Sequence, residues 1–190
     1  QGKPQVQKLF ALGRFSHEQA RVMPDQRTVY LTDDGTNGGF FVFVADAPGD
    51  LTAGHLYMSR WTQLESERFK LTWVDLGHAT QAEIAAEMEK PPLFEALFEV
   101  EDSQQCSQGF PRIRTSHEHR CIRVRPAKAT LASRLESRRF GALEGGTTEL
   151  RKWEGMAVDP AGRRVFAAVS AVTHGMLGQD PQWDIESADH

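Results

Sequence analysis

One segment of this chain occurs twice, and the duplication constrains the fold more than any bulk property does. Glu18-Gln-Ala-Arg-Val-Met-Pro-Asp-Gln-Arg-Thr-Val-Tyr30 aligns without a gap onto Glu154-Gly-Met-Ala-Val-Asp-Pro-Ala-Gly-Arg-Arg-Val-Phe166, at a constant offset of 136 residues (154 − 18). The shared positions are Glu18/Glu154, Val22/Val158, Pro24/Pro160, Arg27/Arg163, Val29/Val165 and the aromatic pair Tyr30/Phe166. Valines, prolines and aromatics at these places are what a strand, a tight turn and a returning strand require. The glutamates are not. A carboxylate at the mouth of an apolar strand does nothing for a hairpin, so its presence in both copies marks Glu18 and Glu154 as candidate functional residues.

The rest of the chain supplies the context. Residues 6–12 read as a half-buried strand, and 20–22, 29–32, 40–44 and 54–60 as strands of one antiparallel meander. The run 40–44 is apolar on both faces and belongs inside a sheet. Residues 61–68 read as a polar link before another strand at 70–76. Beyond Gly77 the character changes. Thr80 with Glu83 forms a capping box for a helix over 80–89, which Pro91-Pro92 stops; a short second helix is expected over 93–98. Residues 101–128 read as an irregular surface excursion, 129–143 as one helix ended by Gly145-Gly146, and 147–152 as extended chain into the second copy. The tail after Ser170 reads as loop.

Propeller blades repeat at about 40–50 residues with four strands each. The longer offset here could hold up to about three plain blades, or one blade and a large insertion. Because residues 77–145 look helical and irregular, two neighbouring blades are expected with an insertion between them at about residues 77–146. The expected fold is mainly β: a partial β-propeller of about two antiparallel blades with a helical and irregular insertion. A complete propeller has at least about four blades, so residues 1–190 are expected to form part of a single propeller domain.

Net charge is −4, which argues against nucleic acid as the main partner. No apolar run is long enough to cross a bilayer, so no membrane span is expected. No leader lies within these residues, and the chain opens on Gln1, which leaves open a leader upstream. Cys106 and Cys121 would close a loop in an exported protein or stay as two thiols in the cytosol. Composition does not choose.

In a propeller the first strand of each blade lines the central channel, so Glu18 and Glu154 would face a shared axis. Converging carboxylates repel unless a cation neutralises them, and hard ions such as Ca²⁺ are the natural occupants. Alternatively, each Glu caps backbone donors or pairs with Arg27 or Arg163. Asp33-Asp34-Gly35-Thr36-Asn37 offers further oxygen ligands without EF-hand spacing, or is simply a turn. His117-Glu-His-Arg-Cys121 carries transition-metal ligand types but has no second ligand pair at a matching distance, which favours a solvated segment. Arg112, Arg114, Arg120, Arg123, Arg125 and Lys128 would hold an anionic substrate or lipid surface, or form a solvated face, the favoured reading. Lys152, two residues before Glu154, would pair with that Glu or face an anion bound on a metal. No nucleophile elbow, Walker loop or dinucleotide fingerprint is present.

Four segments together resemble the PhoX-type alkaline phosphatases, part of a wider group of secreted propeller proteins. They are Gly13-Arg-Phe-Ser-His-Glu18, Val29-Tyr-Leu-Thr-Asp-Asp34, Arg138-Arg-Phe-Gly-Ala142 and Lys152-Trp-Glu-Gly-Met-Ala-Val-Asp-Pro160. The resemblance implies a six-bladed propeller whose central iron and calcium cluster hydrolyses phosphate esters. It implies Glu18 and Glu154 as metal ligands at the blade entrances, and Asp34, with Asp33 as a partner, as calcium ligand. Lys152 falls where the family has an arginine that touches phosphate, which gives it a catalytic and substrate-binding role; the charge is kept and the bidentate fork is lost. Neither Cys106 nor Cys121 matches the family's cysteine iron ligand. The implied cofactors are Ca²⁺ and Fe³⁺, the partner is a small-molecule phosphate ester, and the location is periplasmic or secreted. The full-length protein would be a monomer, and these residues, matching the middle of the family's length, would be inactive alone. The competing expectation is a non-catalytic calcium-binding propeller that serves as a surface interaction module.

Overall fold

The alternating apolar runs at the start of the chain build a five-stranded antiparallel meander: β1 (His17–Val22), β2 (Thr28–Asp33), β3 (Phe40–Ala47), β4 (Asp50–Glu65) and β5 (Arg68–Thr80), in that spatial order. The computed structural model describes residues 6–65, 68–101, 105–116, 118–159, 161–177 and 185. Strand β3 is central and apolar on both sides, as its composition predicts. Phe41 and Phe43 share one face with Val29, Leu31, Leu56 and Met58 through direct cross-strand pairing. On that face pack Ile84 of α1 (Gln81–Glu87), Leu97 of α2 (Phe94–Leu97), Ala132 and Leu135 of α3 (Ala129–Leu135) and Phe140 of α4 (Ser137–Leu143). Each of these leucine, isoleucine and phenylalanine side chains contributes about 1.5–3 kcal/mol through its burial. Phe40, on the other face, packs against a separate hairpin, β9 (Trp153–Val158) and β10 (Val165–Val169), through Trp153 and Met156.

Four expectations are corrected here. Residues 6–12 are not a strand; Phe10–Leu12 is a single 3-10 turn, with the Phe10 amide bonded to the Gln81 side chain at 2.6 Å. A glutamine side chain satisfies the backbone there, so no strand partner is needed. Residues 61–65 continue β4, because Trp61 pairs across to Leu71 and stacks edge-on with Phe69; cross-strand aromatic contacts outweigh the polar letters between them. Residues 101–128 are not irregular. They hold β7 (Arg112–Thr115) and β8 (Glu118–Val124), which join β6 (Phe98–Glu101) in a sheet of order β6-β8-β7, with Ile113, Thr115, Cys121 and Ile122 buried. Finally, the helix expected over 129–143 breaks at Glu136 (φ −140°, ψ 47°). The break sends Arg134 and Arg138 to different places.

Arg134 is buried and donates to the carbonyls of Gly54 at 3.2 Å and Gly77 at 2.7 Å. Burial pushes it down to about 10, so it stays charged at neutral pH. The other arginines of the insertion are held as well. Arg123 and Arg125 pair with Glu99, and Arg120 with Glu118. Arg120 and Arg139 lie over the Phe94 ring, and Arg123 over Phe110. The arginine run therefore folds into its own sheet, much of its charge already spoken for. Cys106 and Cys121 form a disulfide across 15 residues. Among the described residues the fold is a mixed α/β arrangement with antiparallel sheets of five, three and two strands.

The duplicated segments repeat in backbone as well as in sequence. Val22↔Val29, Arg21↔Tyr30, Ala20↔Leu31 and His17↔Asp33 in β1–β2 have their counterparts in Val158↔Val165, Ala157↔Phe166, Met156↔Ala167 and Trp153↔Val169 in β9–β10. Each hairpin has a β-bulge at the shared glutamate: Glu18 and Gln19 span one residue of β2, and Glu154 stands unpaired between the pairings of Trp153 and Gly155. Their turns match too. Gln26 (φ 56°) and Gly162 (φ 66°) are both left-handed, and their amides bond to the carbonyls of Met23 and Asp159. The hairpins lie side by side and run the same way. Arg21 Nη2 donates to the Met156 carbonyl at 2.8 Å, and a Cβ on Gly162 would lie 3.0 Å from Pro24.

The loop after β2 is fixed by a clamp. The Asp33 carboxylate is fully buried and receives both forks of Arg138, Nε at 2.7 Å and Nη2 at 2.6 Å. It also accepts the backbone N–H groups of Ser16, Gly35 and Gly39. Gly35 and Gly38 leave the room this needs: a Cβ on Gly35 would overlap the Arg138 guanidinium, and one on Gly38 would lie 2.6 Å from Asp33 Oδ2. Asp33→Ala strips a buried charge of its partner and is expected to cost about 3–5 kcal/mol, read as the urea unfolding free energy, with or without a chelator present. Stability within 1 kcal/mol of wild type, roughly the value of an exposed ion pair, would refute the clamp. Loss of the disulfide in Cys106→Ser/Cys121→Ser is expected to cost about 3 kcal/mol through the 15-residue loop, measured the same way in oxidised and reduced protein.

Candidate functional site

The open ends of the two hairpins, away from the turns, carry the residues of interest. In the first, the Asp34 amide bonds to the Ser16 carbonyl; in the second, the Ser170 amide bonds to the Lys152 carbonyl, both at 2.9 Å. The duplication thus extends outward, with Ser16 and Lys152 as counterparts, and Asp34 and Ser170 likewise. The closing bond is common to both ends, while the side chains at these positions differ.

Lys152 brings the two ends together. Its Nζ lies 3.4 Å from Asp34 Oδ1, across the gap between hairpins, and 3.9 Å from Glu154 Oε1 in its own hairpin. Ser170 Oγ donates to Glu154 Oε1 at 3.0 Å. Lys152 is left-handed at φ 55°, a conformation that strains a residue with a Cβ and that recurs where side chains are aimed for function. The three charged side chains are 38–46% exposed, so each contact is worth under about 1 kcal/mol. The cluster is held weakly.

Of the residues expected to act, Asp34, Glu154 and Lys152 are brought together. Glu18 occupies the matching bulge of the neighbouring hairpin, is exposed, and its carboxylate makes no hydrogen bond or ion pair to another described residue. Asp33 lies one residue from the cluster, its oxygens occupied by Arg138 and three backbone donors. The alternative that Arg27 pairs with Glu18 is not realised: Arg27 Nε donates to the Ala45 carbonyl at 2.8 Å. Within the His117-Glu-His-Arg-Cys121 run, His117 lies outside the described residues, Cys121 is in the disulfide and His119 meets Arg112.

Two residues went unread in the sequence. Ser170 was available from the offset alone, since it stands 136 residues after Asp34. Arg138 stands in the Arg138-Arg-Phe-Gly-Ala142 segment, yet nothing near it in the chain points to its partner Asp33, 105 residues earlier. Cavities of about 600 Å³ beside Phe10 and Phe15 and about 480 Å³ beside Trp61 and Trp73 lie elsewhere, and neither is lined by Asp34, Lys152 or Glu154. The charged cluster lies at an open rim, outside both of these cavities.

The donors at that rim are all oxygens: two carboxylates and a hydroxyl. No three His, Cys, Asp or Glu side chains converge to hold a metal among the described residues. The set fits a hard cation that takes one or two carboxylates and completes its shell with water or substrate oxygens. It contains nothing that singles out iron.

No curated protein and no solved structure matches the chain. The model of the family described as alkaline phosphatase PhoX matches residues 3–183. That span takes in both hairpins, the clamp and the whole insertion, so the chain belongs to the alkaline phosphatase PhoX family.

Proposed function

We propose that this protein is a metal-dependent phosphatase that hydrolyses phosphate esters, with its paired hairpins as the inner strands of two neighbouring blades of a β-propeller. Family membership supports a PhoX-type hydrolytic function in general. The blade reading draws on two hairpins that share register, bulge and turn and lie side by side in the same direction. The single observation that carries the functional reading is the meeting of Asp34, Lys152 and Glu154 between those hairpins.

In this reading Asp34 and Glu154 are ligands for calcium, and Glu18 adds a carboxylate from the matching bulge. Ser170 orients Glu154 through its hydroxyl. Asp33, expected as a fourth ligand, instead positions Asp34, because Arg138 and three amides already use its oxygens. Bound cations supply Lewis-acid neutralisation of phosphoryl oxygens. Lys152 holds the same oxygens as a point charge, without the planar fork an arginine would present. Calcium suits these oxygen donors; for iron neither cysteine is free to serve, since both are in the disulfide. That disulfide also supports an exported, oxidising location.

The test is phosphate release from a chromogenic monoester, with calcium content measured alongside, in the protein at its full natural length. Glu154→Gln is expected to lower bound calcium and turnover together, each by at least about tenfold. Retention of both in that variant would remove Glu154 from the site. Tightly bound calcium without any ester hydrolysis in the wild type would favour the non-catalytic interaction module.

A further inference from the structure

The Lys152 ammonium sits where a cation shared by Asp34 and Glu154 would sit, 3.4 Å from one carboxylate and 3.9 Å from the other. A lysine committed to two carboxylates is not free to hold an anion. The three groups together carry one net negative charge, which repels phosphate. We infer that Lys152 is a counter-ion switch that makes phosphate binding conditional on a divalent cation. The inference rests on the phosphatase reading above and specifies the order in which its ligands bind.

The physical argument has three steps. A divalent cation that takes the two carboxylates turns the cluster's net charge from negative to positive and displaces the ammonium. The contacts it must break are half-exposed and weak, so displacement needs only a modest advantage. The freed ammonium, a compact charge on a flexible stem, then turns to the phosphate oxygens. Lysine suits this exchange better than arginine, whose fork would hold a carboxylate bidentately and release it reluctantly. The left-handed backbone of Lys152 (φ 55°) roots the side chain between the hairpins, beside both partners. By reciprocity, phosphate must raise cation affinity by the factor by which the cation raises phosphate affinity.

Calorimetric titrations with calcium chloride, and with inorganic phosphate in the presence and absence of calcium, test the switch in the wild type, Lys152→Met and Lys152→Gly. Glycine tolerates the left-handed conformation, so the second variant is not confounded by strain. Both variants are expected to bind calcium about tenfold more tightly than wild type. With calcium saturating they should bind phosphate about tenfold more weakly than wild type; without calcium all three proteins should bind it equally poorly. Variants that bind calcium no more tightly than wild type overturn the switch, as does a phosphate deficit of the same size with and without calcium. Calcium binding by none of the three proteins overturns the metal reading itself, which separates its failure from that of the switch.

Discussion

The buried pair of Asp33 and Arg138 ties the meander to the helical insertion, and the position of the charged cluster follows from it. A carboxylate with no solvent exposure costs several kcal/mol in desolvation unless every lone pair is used. Here a bidentate guanidinium and three backbone amides use them. Two of those amides, Gly35 and Gly39, belong to the loop that carries Asp34, and the third, Ser16, leads into β1 and its bulge. Arg138 also donates to Ser116 Oγ at 2.5 Å, which extends the tie to the turn between β7 and β8. The insertion between the two hairpins is therefore part of what fixes the site.

The duplicated hairpins show which features a backbone preserves and which it releases. Register, bulge, left-handed turn residue and the bond closing the open end are common to both. Side chains have moved around that frame. In the first turn Asp25 accepts from the amides of Arg27 and Thr28; in the second Asp159 accepts from those of Arg163 and Arg164, although Asp159 corresponds to Met23. One capping job is done from two different positions. At the open ends the exchange is electrostatic, with an anion (Asp34) where the other copy has Ser170 and a cation (Lys152) where the other has Ser16. The two copies are complementary because they have diverged, and the Lys152–Asp34 contact links them.

The sequence made the hairpins legible because strand, turn and strand need few residue types at fixed distances, and two copies confirm each other. It made the Thr80 cap legible for the same local reason: its Oγ1 accepts the Glu83 amide at 3.2 Å. What it hid were features set by distant partners. Residues 101–128 look irregular because arginines fill much of β7 and β8, while the buried positions are few: Ile113, Thr115, Cys121 and Ile122. The break at Glu136 leaves helical spacing intact and depends on where Arg134 and Arg138 must reach. Asp33 and Asp34 look equivalent on paper; only Arg138, about a hundred residues later, assigns one to the interior and leaves the other at the rim.

The second hairpin is joined to the five-stranded sheet by packing, since β9 pairs only with β10 among the described strands. Trp153 does most of this. It is 4% exposed, stacks on Phe40 at 5.1 Å, and lies in a cluster with Leu150, Met156 and Met176. The bridge between Gly38 and Leu150 and the Arg21 bond to Met156 add hydrogen bonds at either side of it. Lys152 and Glu154 flank that indole directly. Trp153 is turned inward, while Lys152, left-handed at φ 55°, and Glu154, the unpaired residue of the β-bulge, depart from regular strand geometry on either side of it and stand at the rim with Asp34. The aromatic stack thus anchors the end of the hairpin from which the two charged side chains reach the rim.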